Sequence, residues 1–172
     1  MIGVQAVRPQ GGPWLYDTPE TTMMTTDELT WTDAFLVGYP PMDDTHREFV
    51  DIVGAMLQAP DEAIVEHLRK LIVHSEKHFS QEEHWMNTTS FPATECHTNE
   101  HKAVLQSMRD VENYLSTGGS ADEGRRLATE LARWFPGHTD YLDASLAQWV
   151  SKKQLGGVPI VVRRGVAHNE AD

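Results

Sequence analysis

Nine histidines stand in a 172-residue chain whose net charge is -12, and most of them are phased rather than scattered. His78 and Glu82 are four residues apart, as are His97 and His101. Four residues bring an α-helix nearly full circle, so each pair shares one helix face, one turn apart. Further along come His138 and Asp143, five apart, and earlier a single candidate, His46, follows Asp43-Asp44-Thr45. Helices of alternating direction would bring these five imidazoles and two carboxylates to one level. That is more than one ion can take. Imidazole suits iron, zinc, copper and nickel, and a carboxylate can give its two oxygens to two ions, so the set fits a carboxylate-bridged metal pair. The set holds no thiolate, which disfavours structural zinc.

The elements that must position these residues are legible from apolar period. Phe49, Ile52, Val53, Met56 and Leu57 recur at helical spacing after Asp43 or Asp44, either of which would cap a first helix. Pro60 suits a first turn, and Ile64, Leu68, Leu71, Ile72, Phe79 and Met86 carry a longer second helix up to Asn87-Thr88-Thr89. After Phe91-Pro92, the run His97, His101, Val104, Leu105, Met108, Val111 and Leu115 traces a third, closed by Gly118-Gly119. Ser120 to Glu123 reads as a capping box for a fourth, whose stripe is Leu127, Leu131, Trp134, Phe135, Leu142, Leu146, Trp149 and Val150. Gly156-Gly157 ends it. In a regular helix His138 and Asp143 would stand about 140° apart. A π-type bulge would bring them onto one face, and Pro136 already interrupts the hydrogen-bond ladder, so an irregular fourth helix is expected between Pro136 and Asp143.

Short connections favour antiparallel neighbours, so the expected fold is all-α, an up-down-up-down four-helix bundle with a non-helical N-terminal tail and a short C-terminal arm. The tail is placed at 1–27, where Trp14, Leu15 and Tyr16 are the residues able to dock, the bundle at 28–153 and the arm at 154–172. The β-branched stretch from Val158 to Arg164 reads equally as an extended arm or an unstructured end.

Hydrophobic residues make up 40% and charged residues 23% of the chain, the balance of a folded domain rather than a disordered one. No run approaches the roughly 20 apolar residues that span a bilayer. Met1 to Val7 carries no secretory signature. With Cys96 the only cysteine, no intramolecular disulfide can form, and a cytoplasmic location is expected. The negative charge argues against nucleic acid and anionic membranes as partners.

The order His46, His78-x-x-x-Glu82, His97-x-x-x-His101 and His138-x-x-x-x-Asp143 resembles the hemerythrin and bacteriohemerythrin family, as do Trp31, the stretch from Gly38 to His46 and the Glu82-Glu83 pair. The likeness covers about residues 28 to 153. It implies two iron ions, oxo- or hydroxo-bridged, with His97, His101 and His138 on one, His46 and His78 on the other, and Glu82 and Asp143 between them. It also implies dioxygen as the partner, bound reversibly at the two-histidine iron with no substrate transformed, so the protein is expected not to be an enzyme. Phe49, Phe79, Trp134 and Phe135 are candidates to line an apolar pocket there. The alternative keeps the same centre but makes it a redox enzyme or sensor acting on peroxide, nitric oxide or oxygen with an external redox partner. A ferritin-like oxidase would want Glu-x-x-His pairs and a zinc hydrolase His-Glu-x-x-His; neither pattern occurs.

The remaining candidates take blander readings. His67, His84 and His168 are expected on the surface or satisfied in the core, and Glu83 facing solvent. His74, one turn before His78, is read as exposed or packing in preference to a supporting role beside the site. Cys96 is expected to be a buried, inert thiol.

Overall fold

The computed structural model describes residues 29–161. Within them the helices are α1 (Pro40–Gln58), α2 (Ile64–Thr89), α3 (Thr94–Ser116), α4 (Ala121–His138) and α5 (Ala144–Leu155), with a π-helical turn, Thr139–Asp143, joining α4 to α5. The last two therefore form one irregular rod, and the architecture is an all-α four-helix bundle in which α1 packs on α2 and α4, and α3 on the same two. The expected irregularity falls just after Pro136, which the α-helical ladder itself runs past to His138. No described helix is long and apolar enough to cross a membrane.

Buried apolar residues form two cores. One gathers Phe49, Val53, Leu68, Leu71, Phe79, Val104, Met108, Leu131 and Phe135. The other gathers Met42, Trp85, Met86, Phe91, Leu146 and Val150. Chain order shows what lies between them. On α1 the sequence runs Met42, His46, Phe49; on α2 it runs Phe79, Glu82, Met86; on the last rod it runs Phe135, His138, Asp143, Leu146. These three rods each leave one core, cross a polar layer and enter the other, while α3 begins at the layer with His97 and His101 and runs on into the first core through Val104 and Met108. The direction of crossing alternates from rod to rod, as short connections require.

The helix ends depart from expectation in instructive ways. Neither Asp43 nor Asp44 caps α1, which begins earlier, at Pro40, with Tyr39 before it and no side-chain cap. Pro40 and Pro41 fit because the first helical N–H groups have no intrahelical partner to lose. Asp43, buried in the first turn, instead accepts the N–H groups of Val37 (2.8 Å) and Gly38 (3.1 Å). Gly38 has φ +80°, and a Cβ there would meet Pro159 at 2.7 Å and Val161 at 2.9 Å. Residues beyond α5 thus return over the start of α1. Asn87, Thr88 and Thr89 do not stop α2. The two threonine hydroxyls fold back onto the carbonyls of His84 and Trp85, at 2.7 Å each, and the helix ends at Ser90 in the left-handed region, φ 55°. Ser120 caps α4, but without a capping box: its Oγ accepts the Asp122 N–H at 3.2 Å rather than that of Glu123, and the Glu123 carboxylate turns to Arg126 at 2.8 Å.

Ahead of α1, residues 29–39 lie along the bundle. The Leu29 carbonyl closes on Gly54, Phe35 packs on Phe135 with ring centroids 5.2 Å apart, and Trp31 sits between Phe35 and the Arg47 guanidinium, 4.4 Å from its ring. The tail at 1–27 with Trp14, Leu15 and Tyr16, the end of the arm past Val161, and His168 lie outside the described residues.

Two glycines of α4 separate backbone propensity from packing. A Cβ on Gly124 would run into the Ile64 Cγ2 methyl, whereas one on Gly137 meets nothing within 4 Å. Gly137→Ala should raise stability by about 0.4–1 kcal/mol, and Gly124→Ala should lower it by roughly 1–3 kcal/mol through overpacking. Urea midpoints of the two variants check this; a gain in both would mean that α4 and the start of α2 can part freely.

Candidate metal centre

Seven buried polar side chains occupy the layer between the cores: His46 from α1, His78 and Glu82 from α2, His97 and His101 from α3, His138 from the end of α4 and Asp143 from the end of the π turn. These are the seven residues that spacing singled out, and the structure brings all of them together. The π turn is what admits Asp143, because its wider winding returns a residue five positions on to the face that His138 occupies.

The two carboxylates are split between two groups of imidazoles. Glu82 Oε1 lies 2.9 Å from His78 Nε2 and 3.9 Å from His46 Nε2, while its Oε2 lies 3.2 Å from His97 Nε2 and 3.4 Å from His101 Nε2. Asp143 repeats the division, with Oδ2 3.1 Å from His46 Nε2 and Oδ1 3.1 Å from both His97 Nε2 and His138 Nε2. Several of these atoms are close without being hydrogen-bonded. His46 Nε2, His97 Nε2, Glu82 Oε2 and both Asp143 oxygens are buried with no hydrogen-bond partner among the described residues. Buried polar atoms left in that state cost on the order of 1–3 kcal/mol each, more when charged, so the donor set fits cations held between them. Two groupings are close enough to hold an ion: Glu82, His97, His101, His138 and Asp143, and His46, His78 and Glu82.

The protonation balance follows from burial and proximity. Burial opposes charge on His138, yet Asp143 and Glu100 carry its pKa up to about 10. Burial likewise opposes charge on His46 and His97, and the Asp143 and Glu82 carboxylates outweigh it and raise both. His101 goes the other way, to about 2, because burial dominates and the charges of His138 and His97 add to it. Burial resists ionisation of Glu82 and Asp143 as well, but the surrounding imidazoles keep both carboxyls below their usual range.

Aromatic rings close the layer. Phe135 stands edge-on to His46 with centroids 5.4 Å apart and stacks on Phe49 at 4.9 Å. Phe79 lies flat on His101, 3.8 Å away and 6° from parallel. Trp134 covers His138 at 4.3 Å. Of the four expected lining residues, Phe49 and Phe135 therefore guard the His46 side, and Phe79 and Trp134 pack against the three-histidine group.

Other candidates sort by which way their helix faces. Cys96 is exposed, contrary to the expected buried thiol: its neighbour His97 points inward, and adjacent residues on a helix diverge by about 100°. His84 and Glu83 are exposed and His67 is half-buried, all outside the layer. His74 packs. Its Nδ1 is 3.4 Å from the Glu48 carboxylate, its ring is edge-on to His78 at 5.6 Å, and burial, with the His78 charge, holds its pKa near 4. One partner was missed altogether: Glu100 Oε1 accepts from Trp134 Nε1 at 2.8 Å and lies 2.9 Å from His138 Nδ1. The four-residue step from Trp134 to His138 marks a shared face, but nothing in the sequence pairs that face with Glu100.

Fold and site together define a class, a four-helix bundle with a buried histidine and carboxylate cation site. The sequence profile of the Hemerythrin HHE cation binding domain matches residues 37–150. The chain belongs to the hemerythrin family. It is 35% identical over 125 residues to the bacteriohemerythrin of Ralstonia nicotianae, covering 73% of this chain and 90% of that protein. It is 31% identical over 93 residues to the myohemerythrin of Sipunculus nudus, covering 54% and 76% respectively. A bacteriohemerythrin of Stenotrophomonas maltophilia is 25% identical over 141 residues, covering 75% and 91%. No solved structure matches the chain.

A cation entering this layer competes with protons for the imidazole nitrogens. With the His138 pKa raised to about 10, that ring carries its proton at neutral pH and gives it up when Nε2 takes a metal. Binding of a divalent cation at pH 7 should therefore release at least one proton per chain, and apparent affinity should fall roughly tenfold per pH unit per released proton on acidification. Titration calorimetry in buffers of different ionisation enthalpy reads the proton count; a binding heat independent of buffer would contradict it.

Proposed function

We propose that this chain binds dioxygen reversibly at a pair of non-haem iron ions, for storage, delivery or sensing, and that the seven converging residues hold those ions. The observation that carries the reading is the division of the carboxylates: each of Glu82 and Asp143 turns one oxygen to His46 and the other to His97. A carboxylate so placed could give one oxygen to each of two ions. In this reading His97, His101 and His138 complete one position and His46 and His78 the other. The set contains imidazole and carboxylate but no thiolate, which suits iron. Once the imidazoles have given up their protons to bind metal, the two carboxylates leave negative charge for the cations to neutralise in a buried layer. Membership in the hemerythrin family supports the same assignment.

Held by these seven residues, a reduced iron pair would supply the electrons that dioxygen needs in order to stay bound, with no substrate transformed. The chain's own groups set the conditions. His46 and His78 give their side of the layer one nitrogen fewer than the other side, so an added small molecule finds room there. Phe135 and Phe49, stacked beside His46, and Phe35 behind them keep water and anions away from that position. Control of solvent access by an apolar shell sets both redox potential and ligand lifetime. Glu82 and Asp143, held ionised, offer acceptor oxygens only.

Anaerobic loading with ferrous iron, followed by air and then by oxygen removal, tests this directly when metal content and optical spectrum are read on one sample. The expected result is about two irons per chain and a visible charge-transfer band that rises with oxygen and fades on its removal. Immediate irreversible oxidation would shift the assignment to a redox enzyme or sensor, and a chain without iron would sink it.

A further inference from the structure

The imidazoles of the layer are not held alike. The Nδ1 atoms of His46, His78 and His97 are buried without a protein hydrogen-bond partner, whereas His138 Nδ1 faces Glu100 Oε1 at 2.9 Å. That oxygen also takes the Trp134 indole N–H at 2.8 Å, and the indole lies over the His138 ring at 4.3 Å. Trp134 in turn rests on Phe49, 6.2 Å between centroids, in the main core. Glu100 sits on α3 between His97 and His101, so the carboxylate that reaches across to α4 belongs to the helix that supplies the two other histidines of that group.

We propose that Glu100 is a positioning residue that makes the two iron positions unequal: by accepting from His138 Nδ1, it fixes the ring with its Nε2 lone pair toward the three-histidine position and strengthens that donor. The inference rests on the two-iron reading above and adds to it an order of filling and of oxidation. A carboxylate on the far nitrogen fixes the tautomer and raises the basicity of a ligating imidazole. His46 and His78 have no such partner, so the three-histidine position becomes the tighter of the two and the one that gives up its electron at lower potential. The double use of Glu100 Oε1 matters here. The Trp134 N–H keeps the carboxylate aimed at the ring when solvent, which reaches its partly exposed side chain, would otherwise draw it away.

A tie that merely joined α3 to α4 would not depend on charge, and Glu100→Gln separates the two roles because it keeps the shape and an acceptor oxygen but removes the charge. Ferrous affinities by chelator competition and reduction potentials are measured on the wild-type chain, Glu100→Gln, and Glu95→Gln, an exposed carboxylate on the same helix, with helicity followed throughout. The expected result is one of the two ferrous affinities weakened about 10–100-fold, the other nearly unchanged, and a higher potential for the first oxidation, with Glu95→Gln matching wild type. Unchanged affinities and potential in Glu100→Gln would overturn the proposal, as would equal weakening of both positions or loss of helicity, which would mark a residue that only holds the fold. A wild-type chain that takes up fewer than two ions would instead overturn the two-iron reading, and this proposal with it.

Discussion

Two carboxylates cannot be carried into the middle of an apolar bundle without positive charge to meet them, and most of this structure follows from meeting that requirement. Glu82 and Asp143 are fully buried, where an uncompensated charge costs several kcal/mol even after relaxation. Five imidazoles around them provide part of the answer, and cations between them the rest. Because no single helix turn can present seven such groups, all four rods must donate at the same height. That is why the apolar interior is cut into two cores rather than one, with the polar layer between them.

The cores do more than seal the layer. Rings that pack on imidazoles, Phe79 on His101 and Trp134 on His138, leave those side chains little rotational freedom, so donor geometry is set by packing before any ion arrives. The segment ahead of α1 contributes from outside the bundle, since Phe35 backs Phe135 and Phe135 backs His46. Asp43 fixes where that segment joins the helix by taking two backbone N–H groups. A residue three positions from His46 thus anchors the lead-in, while the next turn of α1 faces the layer.

Much of this was legible in the chain because helix period and donor chemistry point the same way. His78 with Glu82, and His97 with His101, declare both a helix and a face, and the five-residue step from His138 to Asp143 declares its own bulge. Features that depend on one residue meeting another element were not legible. Asp43 looked like a helix cap because a carboxylate near a helix start has the same sequence signature whether it serves the helix or the segment before it. The helix instead starts ahead of both aspartates, where the Pro40-Pro41 pair fits the first turn. Cys96 was expected inside, since residue type favours burial and the 100° step from His97 takes it off the ligand face, but that step turns it to solvent. Glu100 carries no periodic mark, and its partnership with His138 exists only because the last rod is rotated to bring that ring across from α3.

The π turn also decides how this protein can change length. In the loops between helices, a residue more or less is absorbed by the bend, and within 139–143 one residue is absorbed by the winding of the helix itself. Removing one residue there would restore a regular helix with Asp143 four positions after His138, still on the same face, and with Leu146 and Val150 still in their core. The rod can therefore lose one residue at the bulge without turning one half against the other, whereas a deletion in the regular winding on either side would turn them by about 100°.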